Sequence, residues 1–292
     1  MLGVLAVVAA GALTGFRAAV LGVVQGLTEF IPVSSSAHLV LVPFLFDWPV
    51  PSLAFDVAVH FGTALGVVVY FARDLARLVW GSARWLGGSR DADARAQARL
   101  IALLALASLP AAIAGLFLED LFHRYFATAE GVDDVGAPLT AAFLFGTAAL
   151  LLTAERVIGR RQARGRGIED ITPFDALLVG VFQAFAIAPG ISRSGATISA
   201  GVFRGFSREG AARFSFLLSL PAILGAGILS LPDLPAGTDI GVVMVGVAAA
   251  AVSGFAAIAF LLRYLRTRTM RPFAAYCVAA AAITLAFWSQ IR

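Results

Sequence analysis

The chain has 292 residues, 60% of them hydrophobic and only 14% charged, where an ordinary soluble domain carries about 25% charged residues. That composition excludes a soluble globular domain and specifies an all-α polytopic membrane protein, a single integral membrane domain over 1–292. The net charge of +4 is supplied by arginine alone, and 18 of the 22 arginines fall in four clusters beside apolar spans; they read as topology signals and lipid-headgroup contacts, with no nucleic-acid partner implied.

In chain order, the apolar N-terminus up to Phe16 has no basic residue before it, and its Ala-Gly-Ala at 10–12 is only a loose cleavage signal. It is expected to be a retained membrane segment rather than a removed leader. Residues 25–38 read QGLTEFIPVSSSAH. They set Gln25, Thr28, Glu29, Ser34, Ser35, Ser36 and His38 inside apolar sequence, and Pro32 with the serine run breaks any helix there. About 16 helical residues before Pro32 are short of the roughly 20 that a crossing needs. Two short apolar arms around a Pro/Ser break predict a re-entrant hairpin. Six spanning helices are predicted at 53–71, 100–118, 138–154, 211–231, 240–262 and 272–288. Between the third and fourth lies a second broken pair, 174–188 and 194–203, around QAFAIAPGISRSGAT. The lone Cys277 excludes an intramolecular disulfide and reads as a small buried hydrophobe.

The arginine clusters are Arg73 to Arg99, Arg156 to Arg166, Arg204 to Arg213 and Arg263 to Arg271. The alternate loops are acidic, with Glu119, Asp120, Glu130, Asp133, Asp134, Asp233 and Asp239. The positive-inside rule places every arginine cluster in the cytoplasm and both termini outside. On that assignment the two broken hairpins enter from opposite faces. An internal repeat agrees with this: GVVQGLTEFIPVSSSA from Gly22 aligns with GVFQAFAIAPGISRSG from Gly180 at an offset of 158. The halves, about 15–156 and 173–290, would each hold one broken pair and three spans, and an odd number of crossings inverts the second. Paired, Gly/Pro-interrupted segments in inverted halves point to a site near the bilayer midplane.

Half-helices that begin inside a membrane present unpaired N–H groups and a positive dipole end, which suit an anion. Ser34, Ser35 and Ser36 are phosphate donors or simple N-caps. Arg193 offers a bidentate fork for phosphate, or pairs with a structural carboxylate. Glu29 either pairs with Arg193 or, with Gln25 one turn before it, holds a divalent cation. His38, three residues after Ser35, is a candidate general base or acid, or a plain hydrogen-bonding residue. Thr197 and Ser199 are candidates to line the second half-helix. Asp56 and His60 read as structural or supporting groups, and Asp175 as an N-terminal helix carboxylate. The inventory of an arginine, hydroxyls, a histidine, a carboxylate and helix N-termini suits phosphoryl transfer or phosphate hydrolysis. The membrane setting implies a lipid-linked phosphate.

At these residues the chain resembles the undecaprenyl-diphosphate phosphatase, or bacitracin-resistance, family, whose pattern is (E/Q)xxxE, PVSS and a His, then PGxSRSxxT. It is matched by Gln25, Glu29, the TEFIPVSSSAH stretch and Pro189 to Thr197. The resemblance implies removal of the terminal phosphate of a C55 polyprenyl diphosphate, recycling a carrier lipid for peptidoglycan synthesis. It also implies a plasma-membrane location, a site opening to the outer face, and dependence on Mg²⁺ or Ca²⁺. Bacitracin would compete indirectly by binding the substrate. Ser35 would be the nucleophile, His38 its acid/base partner, Arg193 the phosphate clamp and Glu29, with Gln25, the metal-linked group. Ser34, Ser36, Gly190, Ser192, Ser194 and Thr197 would support the phosphate. Gln25 takes the neutral form at its position, so the site has one anionic ligand fewer. Self-association into a homo-oligomer is compatible with the sequence. The rival reading is a secondary transporter or flippase of a lipid-linked phosphate, since broken helices in inverted repeats are transporter architecture too.

Overall fold

The structure, a computed structural model, describes residues 13–49, 51–126, 136–160, 165–230 and 239–291. Residues 1–12 of the N-terminal segment expected to be retained in the membrane, and the acidic residues Glu130, Asp133, Asp134 and Asp233, lie outside them. Among the described residues the chain forms eleven α-helices. They are α1 (Gly15–Phe30), α2 (Ser35–Leu45), α3 (Leu53–Tyr70), α4 (Ala72–Leu86), α5 (Ala92–Phe126), α6 (Gly136–Arg160), α7 (Pro173–Phe185), α8 (Arg193–Phe203), α9 (Arg208–Ser230), α10 (Ile240–Leu265) and α11 (Arg271–Ile291). Six of them, α3, α5, α6, α9, α10 and α11, are long and apolar enough to cross a membrane. These are the six predicted spans. Large apolar side chains such as Leu116, Phe117, Val252 and Ile228 stand exposed on their outer faces, as lipid contact requires.

The short helices pair as expected, α1 with α2 and α7 with α8, each pair interrupted by a Pro-containing turn. Local signals fix their ends. Thr14 accepts from the Arg17 backbone N–H at the start of α1. Thr172 and Asp175 form a reciprocal capping box around Pro173, the favoured proline position at the start of α7. The expectation for Asp175 therefore holds, but it does more than cap. Arg166 and Arg204 both bond its carboxylate, Arg204 at 2.6 Å. Burial alone would raise its proton affinity; the hydrogen bonds from Arg166, Arg204 and Thr172 outweigh that and hold it below the usual carboxylate range. Nearby, Arg208 grips the buried Glu155 through two bonds of 2.6 and 2.7 Å, and Glu155 also accepts from the Met270 backbone N–H. The arginine-rich end of the bundle is thus closed by ion pairs.

Helix α4 departs from the sequence expectation, which treats 73–99 as a charged connection. It forms because Leu75, Leu78 and Gly81 recur at helical spacing. They face the core while Arg73, Arg77, Trp80, Arg84 and Trp85 face outward, an amphipathic helix of the interfacial kind.

Helix packing is reciprocal between the two halves. Helix α1 lies along α10, and α7 lies along α5. Both contacts turn on an aligned glycine. A methyl added at Gly22 would stand 2.3 Å from the Gly246 carbonyl oxygen in α10, and one at Gly180 would stand 2.3 Å from the Ala107 oxygen in α5. At Gly26 an added methyl would meet Ser253 Oγ at 2.0 Å and the Ala250 oxygen at 2.5 Å. Such close backbone approach is how membrane helices gain packing energy where lipid removes the hydrophobic drive. Gly26→Ala is therefore expected to destabilise the purified protein by about 2 kcal/mol or more, as overpacking does. Gly115→Ala, with nothing within 4 Å of the new methyl, should melt at or above the wild-type temperature. Equal melting of Gly26→Ala and wild type in one detergent would refute this account of the seam.

Candidate active site

The two helix breaks meet. At the first, α1 ends at Phe30 and the chain turns through Pro32 to Ser34, which holds a positive φ of 71°, rare for a non-glycine residue. Helix α2 then starts on Ser35. At the second, Gly190 takes φ 101°, and a side chain there would collide with the Thr140 oxygen at 2.4 Å. Thr147 of α6 pins this turn, donating to the Gly190 carbonyl and accepting from the Ser192 N–H, both at 2.9 Å. Ser192 caps α8, accepting from the Gly195 N–H at 3.1 Å. Arg193 is the first residue of α8, as Ser35 is of α2.

Glu29 is the centre of the constellation. It is 7% exposed, and its Oε1 accepts from Arg193 Nη2 at 2.9 Å. Its Oε2 accepts from the Ser35 hydroxyl at 2.7 Å and from Gln25 Nε2 at 3.0 Å. His60 Nε2 stands 3.6 Å from the same oxygen. Arg193 also donates through Nη1 to the Ser215 carbonyl at 3.3 Å. Thr197 donates to the Arg193 carbonyl at 2.7 Å and lies 2.7 Å from the Ser215 hydroxyl. Of the two alternatives for Glu29 and Arg193, the structure displays the ion pair.

A cavity of about 400 Å³ opens onto this group. Glu29, Ser34, Ser35, Ser36, Ser192 and Arg193 line it, together with Asp56 and His60 of α3. Leu53, Val57, Ile191 and Ile223 supply apolar wall. The first six are sequence-derived candidates, and the cavity brings them together. Gln25, Ser194 and Thr197 stand behind the wall as hydrogen-bond partners, Ser194 Oγ lying 3.1 Å from Ser192 Oγ. Gly190 shapes the turn. Ser199 is fully buried and its hydroxyl lacks a protein partner.

His38 sits elsewhere. Its Nδ1 is 2.7 Å from the Ser34 carbonyl, which can only accept, so that nitrogen carries the proton. Its Nε2 then accepts from the Tyr276 hydroxyl at 2.6 Å, and the two rings stack at 5.5 Å. The expected Ser35–His38 hydrogen bond is not made. Equal helix-face spacing does not decide the matter at a helix's first residue, where Ser35 turns back toward Glu29. His60 is the histidine facing the cavity. Its Nδ1 donates to the Asp56 carbonyl at 2.7 Å, which aims Nε2 at Glu29. The i, i+4 spacing of Asp56 and His60 was the available signal, and nothing in the sequence says that α3 presents them to the broken hairpins.

Among the described residues, no three His, Cys, Asp or Glu side chains converge to cage a metal ion. Two buried acceptors, Gln25 Oε1 and Asp56 Oδ1, nevertheless lack a protein donor. They are oxygen ligands of the kind Mg²⁺ and Ca²⁺ take, and Mg²⁺ sites commonly use one or two carboxylates completed by substrate phosphate. Asp56 and Glu29 line the cavity and Gln25 does not, so a cation bound there would meet those two carboxylates and need substrate oxygens to complete its shell.

The family profile for the bacitracin resistance protein BacA matches residues 18–283. An undecaprenyl-diphosphatase of Thermomicrobium roseum is 44% identical over 95% of this chain and 99% of its own length. One of Moorella thermoacetica is 44% identical over 94% and 99%, and one of Geobacter sulfurreducens is 42% identical over 93% and 97%. With nearly the whole chain matched, and with the motif residues gathered at one cavity, the chain belongs to the BacA bacitracin resistance protein family.

Proposed function

We propose that the protein dephosphorylates undecaprenyl diphosphate to undecaprenyl phosphate and inorganic phosphate, recycling the carrier lipid for cell-wall synthesis. The observation that carries this reading is the Ser35–Glu29–Arg193 array on a membrane-embedded cavity: a hydroxyl, a carboxylate able to take its proton, and a guanidinium able to hold a phosphate. The terminal phosphate is bound by Arg193 and by the N-terminal N–H groups of α2 and α8. Ser35 Oγ attacks its phosphorus in line with the bridging oxygen. The bond to that oxygen breaks, and the lipid monophosphate leaves. Glu29 accepts the Ser35 proton, a role the 2.7 Å bond supports. Water then hydrolyses the phosphoserine and regenerates the hydroxyl. His38 holds Ser34 in its left-handed conformation from behind and so positions the serine run. A divalent cation held by Glu29 and Asp56, with Gln25 supporting Glu29 from behind the wall, would neutralise charge on the diphosphate oxygens.

The reciprocal packing of α1 on α10 and α7 on α5 supports reading 15–156 and 173–290 as inverted copies whose broken hairpins enter from opposite faces. The cavity lies at the end of α9 away from the arginine clusters, which supports an outward-facing site in the plasma membrane. Purified protein is expected to release phosphate from a polyprenyl diphosphate in detergent, to stop when divalent ions are chelated, and to recover with Mg²⁺ or Ca²⁺. No phosphate release with cation present would overturn the enzymatic reading in favour of carriage. Full activity in excess chelator would remove the cation and leave Glu29 to Ser35 and Arg193 alone.

A further inference from the structure

A second cleft, of about 300 Å³, lies at the arginine-rich end of the bundle, enclosed by α4, α5, α9 and the short turn Ile168–Asp170. It is separate from the catalytic cavity. Ala222, Ile223, Ala226 and Gly227 of α9 line the cavity, whereas Arg213 and Leu217 line the cleft, so the two open at opposite ends of that helix. The cleft has an apolar floor, in which Leu103 and Leu217 are each 4% exposed. Its rim carries Arg77, Arg99 and Arg213 against Asp74 and Glu169.

We propose that this cleft is a non-catalytic site for the phosphodiester headgroup of an anionic phospholipid. Three arguments converge on that occupant. The first is charge: the lining holds three guanidinium groups and two carboxylates, and the third carboxylate, Asp93, lies outside it on the exposed side of Arg77. An anion that displaces Asp93 therefore leaves the cleft balanced by a single negative charge, as a phosphodiester monoanion provides. The second is availability. Arg213 is spent on Asp74 at 2.8 Å, and Arg99 holds the Glu169 and Ile171 carbonyls, which fixes its fork at the rim. Arg77 makes a 3.3 Å contact with Asp93, and both side chains are largely exposed. An exposed pair of that kind contributes little, so a phosphate oxygen can compete for the guanidinium. The third is setting. Helix α4 displays Trp80 at 72% and Trp85 at 46% exposure beside its arginines. Aromatic and basic residues together on an amphipathic helix mark headgroup depth. Basic pockets between helices on the cytoplasmic side are recognised headgroup sites. An amphiphile whose anionic head meets the rim while its glycerol end lies on the leucine floor satisfies both parts of the cleft.

The test uses the full chain in nanodiscs and native mass spectrometry of the phospholipid retained on release, with phosphatidylglycerol and phosphatidylcholine compared. Wild type should retain phosphatidylglycerol and not phosphatidylcholine. An Arg77→Gln, Arg99→Gln double variant should retain it at least about tenfold less, the effect of losing a charge-assisted hydrogen bond. Arg77→Gln alone keeps the backbone contacts of Arg99 and should lose about as much, so it serves if the double variant does not fold. Phosphate release should continue in Arg77→Gln, which separates this site from the catalytic one. Equal retention by wild type and Arg77→Gln, or equal retention of the two lipids, would overturn the proposal. Inorganic phosphate at millimolar concentration should leave the retained lipid in place; displacement by phosphate, with the same sensitivity to Arg77→Gln, would identify free phosphate as the occupant and overturn the lipid assignment.

Discussion

Ser35→Ala is expected to lower phosphate release by at least about 10³-fold, in line with removal of a nucleophile in other hydrolases. The three serines of the run are chemically alike, and geometry separates them. Ser35 alone reaches Glu29, at 2.7 Å. The Ser34 and Ser36 hydroxyls face each other at 3.2 Å, and Ser34 sits at the strained turn. Ser34→Ala and Ser36→Ala should therefore lose far less. Double variants provide a second readout. If Ser35 and Glu29 act in one step, adding Glu29→Gln to Ser35→Ala should cost little more than Ser35→Ala alone. Adding His38→Ala should multiply the loss, because His38 contacts Ser34 and Tyr276 and not Ser35. Comparable losses at all three serines would point instead to water as nucleophile and to the serine run as a phosphate cradle.

Arg193→Lys should keep the fold and lose about 10²-fold in activity, the scale of one transition-state contact worth a few kcal/mol. Arg193 uses its two terminal nitrogens in different directions, Nη2 to Glu29 and Nη1 to the Ser215 carbonyl, while its buried Nε has no protein partner. A lysine ammonium can replace the charge opposite Glu29 but cannot span both contacts while presenting a planar face to phosphate. The folded state should survive because Thr197, Ser215 and Ser192 hold the start of α8 independently. A rate within about threefold of wild type, from protein with unchanged melting, would show that Arg193 is not the clamp.

The fold was legible because the bilayer simplifies the reading. Six apolar stretches bounded by arginines can be little else than spans, and a Pro/Ser or Pro/Gly break inside an apolar run can be little else than a broken helix. Much of the site was legible for the same reason, since Glu29 and Arg193 are ionisable groups where such groups are costly. What the sequence did not carry was direction. The Ser35–His38 pairing follows from helix-face spacing, but Ser35 starts its helix and its side chain leaves along the turn. The place of Asp56 and His60 depends on how α3 is rotated against α1, and this is set by glycine contacts that no local pattern announces. Helix α4 was masked by its charges, which conceal the period of Leu75, Leu78 and Gly81.

Those glycines also decide which parts of the protein can move. Gly62 and Gly66 of α3 would place an added methyl 2.4 and 2.8 Å from carbonyl oxygens of α10, as Gly22 and Gly26 of α1 would at 2.3 and 2.5 Å. Helices α1, α3 and α10 are therefore interlocked backbone to backbone, with no side-chain cushion to take up a slide. Glu29, Asp56 and His60 ride on that block as fixed parts. Arg193 and the apolar wall of α9 do not belong to it. Arg193 reaches Glu29 from α8, outside that block, so their ion pair is the tie that joins the two sides of the cavity.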